Sequence, residues 1–194
     1  VTAIEVANGS SLRTGGPAAG IRFWDNLLKQ GHHLTAIGGS DNHDATDRAG
    51  AKQSPIGSPT TVVYASELST KAIIAGVKSG RAFNDLANLP GAELDMEGSV
   101  DSQTARMGGE MTLAPEQQAN IRIIRSGIAG DVTVELVTHN LTTFETFTAS
   151  SGPVTSGRHT LTTPVALKPG AGFGYVRPEI RDAAGKILLL GNPI

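Results

Sequence analysis

Helical periodicity is confined to residues 1–90 of this 194-residue chain, and the change beyond them constrains the fold more than any other feature. In the first part, strand and helix signals alternate. Thr2–Val6 (TAIEV) reads as a strand closed by Asn8-Gly9. After the loop SLRTGGPAAG, Pro17 suits a helix start. Ile21, Trp24, Leu27 and Leu28 then recur at helical spacing to Gln30, and Gly31 supplies a stop. Leu34–Ile37 predicts a short buried strand. Residues 44–59 read as a polar loop with Pro55 and Pro59, and Thr60–Tyr64 as the next strand. Ser66 or Ser69 caps a second helix, which carries Leu68, Ala72, Ile73 and Val77 and stops near Gly80. This order is α/β grammar, and it predicts parallel strands.

From residue 92 the grammar is that of β structure. Val132, Val134 and Leu136 alternate with Thr133 and Glu135, the pattern of a half-buried strand. Ile121–Arg125, Leu141–Ala149, His159–Leu167, Tyr175–Arg181 and Lys186–Leu190 read as further strands. Ser126-Gly127, Gly152-Pro153 and Ala184-Gly185 are the turns between them. Pro178 inside a run predicts an edge strand, because proline has no N–H for the ladder. The fold class expected is α/β plus all-β. The boundary is placed at Leu89-Pro90-Gly91, dividing the chain into 1–90 and 91–194, the latter a small antiparallel β-sandwich.

Composition narrows the function classes. Hydrophobic residues are 39% and charged residues 18%, which is globular composition. The net charge is −2 and no basic run occurs, so neither nucleic acid nor an anionic membrane is an expected partner. No apolar run reaches the roughly 18 residues of a transmembrane helix. Cysteine is absent, which removes disulfides and thiolate metal sites. Many Ser and Thr residues and the lack of Cys tolerate an exported bacterial protein. The opening VTAIEVANG and the closing ILLLGNPI both read as cuts through a longer polypeptide, so companion sequence is expected.

The chemistry concentrates in LTAIGGSDNHDATDRAG, Leu34–Gly50. The chain has five histidines, and His43 stands two residues after Asp41 where a strand should end. In an extended segment, residues i and i+2 share a face, so one carboxylate and one imidazole converge on one cation. These donors suit Zn, Mn or Fe. The carboxyl ends of parallel strands are also where α/β folds place their sites. For an isolated D-x-H, a turn-capping Asp and a solvated His are the commoner roles. Asp44 and Asp47 read as carboxylates orienting His43 or as solvated loop charges. Arg81 reads as a contact for an anionic substrate oxygen or as a charge at a helix C-terminus. His32 and His33 read as structural residues at a helix end, and His139 and His159 as surface residues.

The ordered set IEVANG, WDNLL, GHHLTAIGGSDNHD, SPIGSPTTVVYA and KAIIAGVKSGRAF resembles the carboxyl-terminal third of the PHP (polymerase and histidinol phosphatase) metallohydrolases. It is most similar to their carbaryl-hydrolase-like branch. The resemblance covers residues 1–90, and GYVRPEIRDAAGKILLLGNPI is similar to the way such chains close. It implies a distorted β/α barrel with divalent metal at the carboxyl ends of its strands. It also implies a hydrolase of phosphoester, or carbamate or amide-like, bonds in small-molecule substrates. Asp41 and His43 match the family's last ligand motif, and Glu5 and Asn8 match a strand whose end lies near the site. The family's amino-terminal H-x-H and its middle histidines are absent from this chain. The expected partner is therefore a missing amino-terminal barrel segment, and the alternative is a non-catalytic β-sandwich binding module on a barrel remnant.

Overall fold

The structure is a computed structural model that describes residues 1–9, 16–44, 46, 54–143 and 157–194. The expectations for Asp47 and for a strand running on to Ala149 lie outside these residues. The chain divides into two compact units, Val1–Asn88 and Leu89–Ile194.

In the first unit, β1 (Ala3–Asn8) and β2 (Thr35–Gly39) form a parallel pair. Their register sets Ala3 beside Thr35 and Asn8 beside Gly39, with an irregularity between Glu5 and Ala7. Helix α1 (Ala18–Lys29) connects them and turns Ile21, Trp24 and Leu28 inward. Gly20 permits that packing, since a Cβ there would lie 2.4 Å from Val6 O. Trp24 is fully buried and its Nε1–H donates to Leu34 O at 2.8 Å, tying α1 to the entrance of β2. The helix ends in a Schellman turn: Gly31, at φ +84°, donates to Leu28 O while His32 donates to Leu27 O.

β3 (Thr60–Val63) follows, then α2 (Thr70–Lys78) and β4 (Ala82–Asp85). Ser69 caps α2 by accepting from Ala72 N–H at 3.1 Å. Gly80, at φ +70°, ends it with a second Schellman turn, Gly80 donating to Val77 O and Arg81 to Gly76 O. Contrary to the expectation of parallel strands throughout, β3 and β4 are antiparallel, with Thr60 beside Asp85 and Val63 beside Ala82. The physical reason lies in the connection. Tyr64 N–H donates to Arg81 O at 2.9 Å, so the excursion through α2 leaves and rejoins the pair at one end and the chain must run back. β2 is fastened to this pair by side chains. Gly38 N–H donates to Thr61 Oγ1 at 2.8 Å, and Asn84 Nδ2 donates to Ala36 O at 3.1 Å. Among the described residues the strands of this unit do not close a barrel.

The second unit is all-β and antiparallel, an arrangement compatible with a sandwich. One sheet has the order β6 (Gln103–Arg106), β5 (Glu93–Val100), β7 (Gln118–Ser126), β10 (His159–Leu167), β9 (Leu141–Thr143). In the other, β11 (Tyr175–Asp182) lies between β12 (Ile187–Gly191) and β8 (Val132–His139). Leu94, Met96, Met107, Ile121, Ile123, Ile180, Leu189 and Leu190 are almost wholly removed from water and form the core.

Pro178 therefore lies on an inner strand, not the edge strand expected. The ladder explains this. Glu179 pairs with Leu190, whereas three residues earlier the partner of Val176 is Ile194, four residues on from Leu190, through bonds of 3.0 and 3.1 Å. The register slips by one residue between those points. Pro178 sits at the slip, where Gly191 approaches so closely that a Cβ would be 2.5 Å from Pro178 Cγ. No ladder bond is demanded of the missing N–H.

Candidate metal-binding pair

The carboxyl ends of β1 and β2 lie side by side, and the chain leaving β2 folds back over them. Three backbone-level contacts fix this corner. A Cβ on Gly9 would sit 2.1 Å from Ser40 O and 2.5 Å from Ser54 Cβ, so only glycine allows the approach. Ser54 Oγ donates to Gly9 O at 2.7 Å, and Asn42 Nδ2 donates to Ser54 O at 2.8 Å. Asp41 then takes φ +51°, a left-handed conformation that aspartate tolerates better than most residues.

That turn brings together three of the residues singled out in the sequence. His43 Nε2 lies 3.0 Å from Asp41 Oδ1. The Asn8 side chain hydrogen-bonds the Asp41 carboxylate. The Asn8 bond first, and the His43 contact second, hold the Asp41 carboxyl below the usual aspartate range, because both favour its charged form. The His43 and Asp41 side chains are 77% and 47% exposed, so their contact is weak in water and both donors are open to a solute.

The remaining candidates are placed differently. Glu5 is exposed on β1, its Oε1 3.7 Å from where a Gly39 Cβ would be. Asp44 accepts at Oδ1 from Thr46 N–H at 3.0 Å and from the Thr46 hydroxyl, while its own N–H donates to Asn42 Oδ1 at 2.7 Å. Its carboxylate is thus engaged in closing the turn. The structure does not bring Arg81 to the pair. Arg81 follows α2, whose Val77 O accepts from Thr35 Oγ1 at the opposite end of β2. There its guanidinium lies 4.5 Å from the centre of the Tyr64 ring, and Tyr64 in turn packs on Phe83. That distance is a cation–π stack. His32 provides the last bond of the α1 Schellman turn, and His33 is exposed. His139 lies between Phe173 and Tyr175, at 5.8 and 5.7 Å between ring centres, and is half-buried; His159 opens β10.

One charged cluster went unread in the sequence. Arg177 and Glu179 are buried side by side on β11, Nη1 to Oε1 at 2.5 Å, and Arg181 bonds both Glu179 and Glu135. The signal was present as R-P-E-I-R, charges at every second position of a strand. Such a pair resists loss of one partner, which leaves a buried charge at a cost of about 3–5 kcal/mol. It specifies the strand and offers no open position.

Carboxylate and imidazole are the right donors for Zn, Mn or Fe, and their 3.0 Å approach in an exposed corner lets one cation meet both. The fit is one of donor chemistry and is partial in number. Among the described residues no group of three or more His, Asp and Glu converges. A hydrolytic centre uses three or four protein donors with an open position. No family model, curated protein or solved structure matches the chain.

Proposed function

We propose that this chain contributes Asp41 and His43 to the metal centre of a hydrolase resembling the PHP family. The remaining donors come from polypeptide outside this sequence. In this reading residues 1–90 are the carboxyl-terminal part of a distorted β/α barrel, and residues 91–194 are a β-sandwich. The reaction is hydrolysis of a small-molecule phosphoester, or of a carbamate or amide-like bond. The observation that carries the reading is the 3.0 Å Asp41–His43 contact at the paired carboxyl ends of parallel strands. A divalent ion bound there supplies acidity to a water and polarises the bond under attack. This chain's part is to hold the carboxylate and the imidazole on one side of the corner.

The test is substitution in the protein that carries the complete donor set. Asp41→Ala and His43→Ala are each expected to abolish turnover while the far-ultraviolet circular dichroism stays that of the parent. Parent-level turnover in both variants contradicts the reading.

The shortfall in donors favours one second reading, in which the barrel part is a remnant and the β unit binds a glycan, a cell wall or a protein partner. An H-x-H segment in the companion sequence supports the hydrolase, and its absence supports the binding module.

A further inference from the structure

Asp41 leaves β2 on a left-handed residue, with its carboxylate half in water. An exposed side chain on such a turn samples several rotamers unless something holds it. What reaches it is Asn8, the last residue of the neighbouring strand, paired with Gly39. The two positions are locked through their chain neighbours. Gly9 is pressed against Ser40 O and Ser54 Cβ with no room for a methyl group, and Ser54 Oγ donates to Gly9 O. Asn8 and Asp41 therefore face each other across a backbone contact that cannot slide.

We propose that Asn8 is a positioning residue of the candidate metal pair: its side chain, fixed at the end of β1, holds the Asp41 carboxylate so that Asp41 and His43 meet one cation together. This rests on the reading of Asp41 and His43 as metal donors. An ionised carboxylate has lone pairs enough to accept from Asn8 and to meet a cation at once. Residues that orient ligands in this way commonly change metal affinity by about 10–100-fold when removed. Asn8 itself need not touch the metal.

The experiment measures Mn2+ binding to the protein that carries the complete donor set by water-proton relaxation, with paramagnetic broadening of backbone amide signals to locate the ion. The parent chain is expected to broaden first around Asp41 and His43, and Asp41→Ala to remove that binding. Asn8→Ala is expected to weaken it about tenfold while amide signals of α1 and of β5–β12 stay in place. Asn8→Leu keeps the branched volume without the amide, and it decides the matter should the alanine variant fail to fold. Equal Mn2+ affinity in parent and Asn8 variants, with loss in Asp41→Ala, overturns the positioning role and leaves the metal reading intact. No localised binding in the parent, or unchanged binding in Asp41→Ala, overturns both.

Discussion

A methyl group on Gly9 would meet Ser40 O at 2.1 Å, and neither atom belongs to a flexible side chain. Gly9→Ala should therefore destabilise the first unit by about 1–3 kcal/mol, as overpacking against rigid neighbours does. Chemical denaturation of the variant beside the parent measures this. Asp41 tests the same corner from its charge. Its carboxyl is depressed by the Asn8 bond and then by His43, so the ordering it contributes is present above the unfolded-state pKa. That ordering is lost as pH falls through the depressed value. Carboxyl-detected nuclear magnetic resonance should give a midpoint for Asp41 below the ordinary 3.8, moving upward in Asn8→Ala. A midpoint at the ordinary value in the parent would show that the contacts do not hold in solution. Asp41 and His43 were singled out from the D-x-H spacing, and Asn8 from the resemblance that sets its strand end near the site. The bond between Asn8 and Asp41 was not legible, because it depends on which strands lie side by side.

At the scale of elements, α2 shows how a local preference is overruled. Alanine is favoured over glycine inside a helix by about 1 kcal/mol. At Gly76, however, a Cβ would lie 2.6 Å from Val63 Cγ1 and 2.8 Å from Tyr64 O, where α2 packs on the end of β3. Gly76→Ala is expected to lower the melting temperature of the first unit; a rise would mean that α2 stands off from β3. Both helix stops were readable from Gly31 and Gly80, since only a left-handed residue makes the Schellman turn cheaply. The strands at 159–167 and near 121, 132 and 175 were readable from alternation and turns. β4 was not, because all four of its residues are buried and two are Asn and Asp, which strands disfavour. The Asn84 amide is satisfied by Ala36 O, a partner 48 residues away, and Asp85 by the nearby Ala87 N–H. β5 did alternate, with Leu94, Met96 and Val100 inward, but Glu93, Asp95 and Glu97 on its other face masked it. Pro178 misled for a related reason: a register slip on an inner strand spares an N–H as well as an edge does.

For the whole molecule, the change from mixed α/β to all-β was visible in the periodicity. The direction of β3 against β4 was not, since it is set by where the α2 excursion returns. The functional account rests on a corner built by the first unit alone, with two donors of suitable chemistry and a neighbour that steadies one of them. Its central claim is that this corner binds a divalent cation through Asp41 and His43. The most direct measurement is a calorimetric titration with Zn2+ of the protein that carries the complete donor set, beside its Asp41→Ala, His43→Ala double variant. The account predicts one saturable site in the parent and none in the variant. No saturable binding in the parent, or the same binding in both proteins, would contradict it.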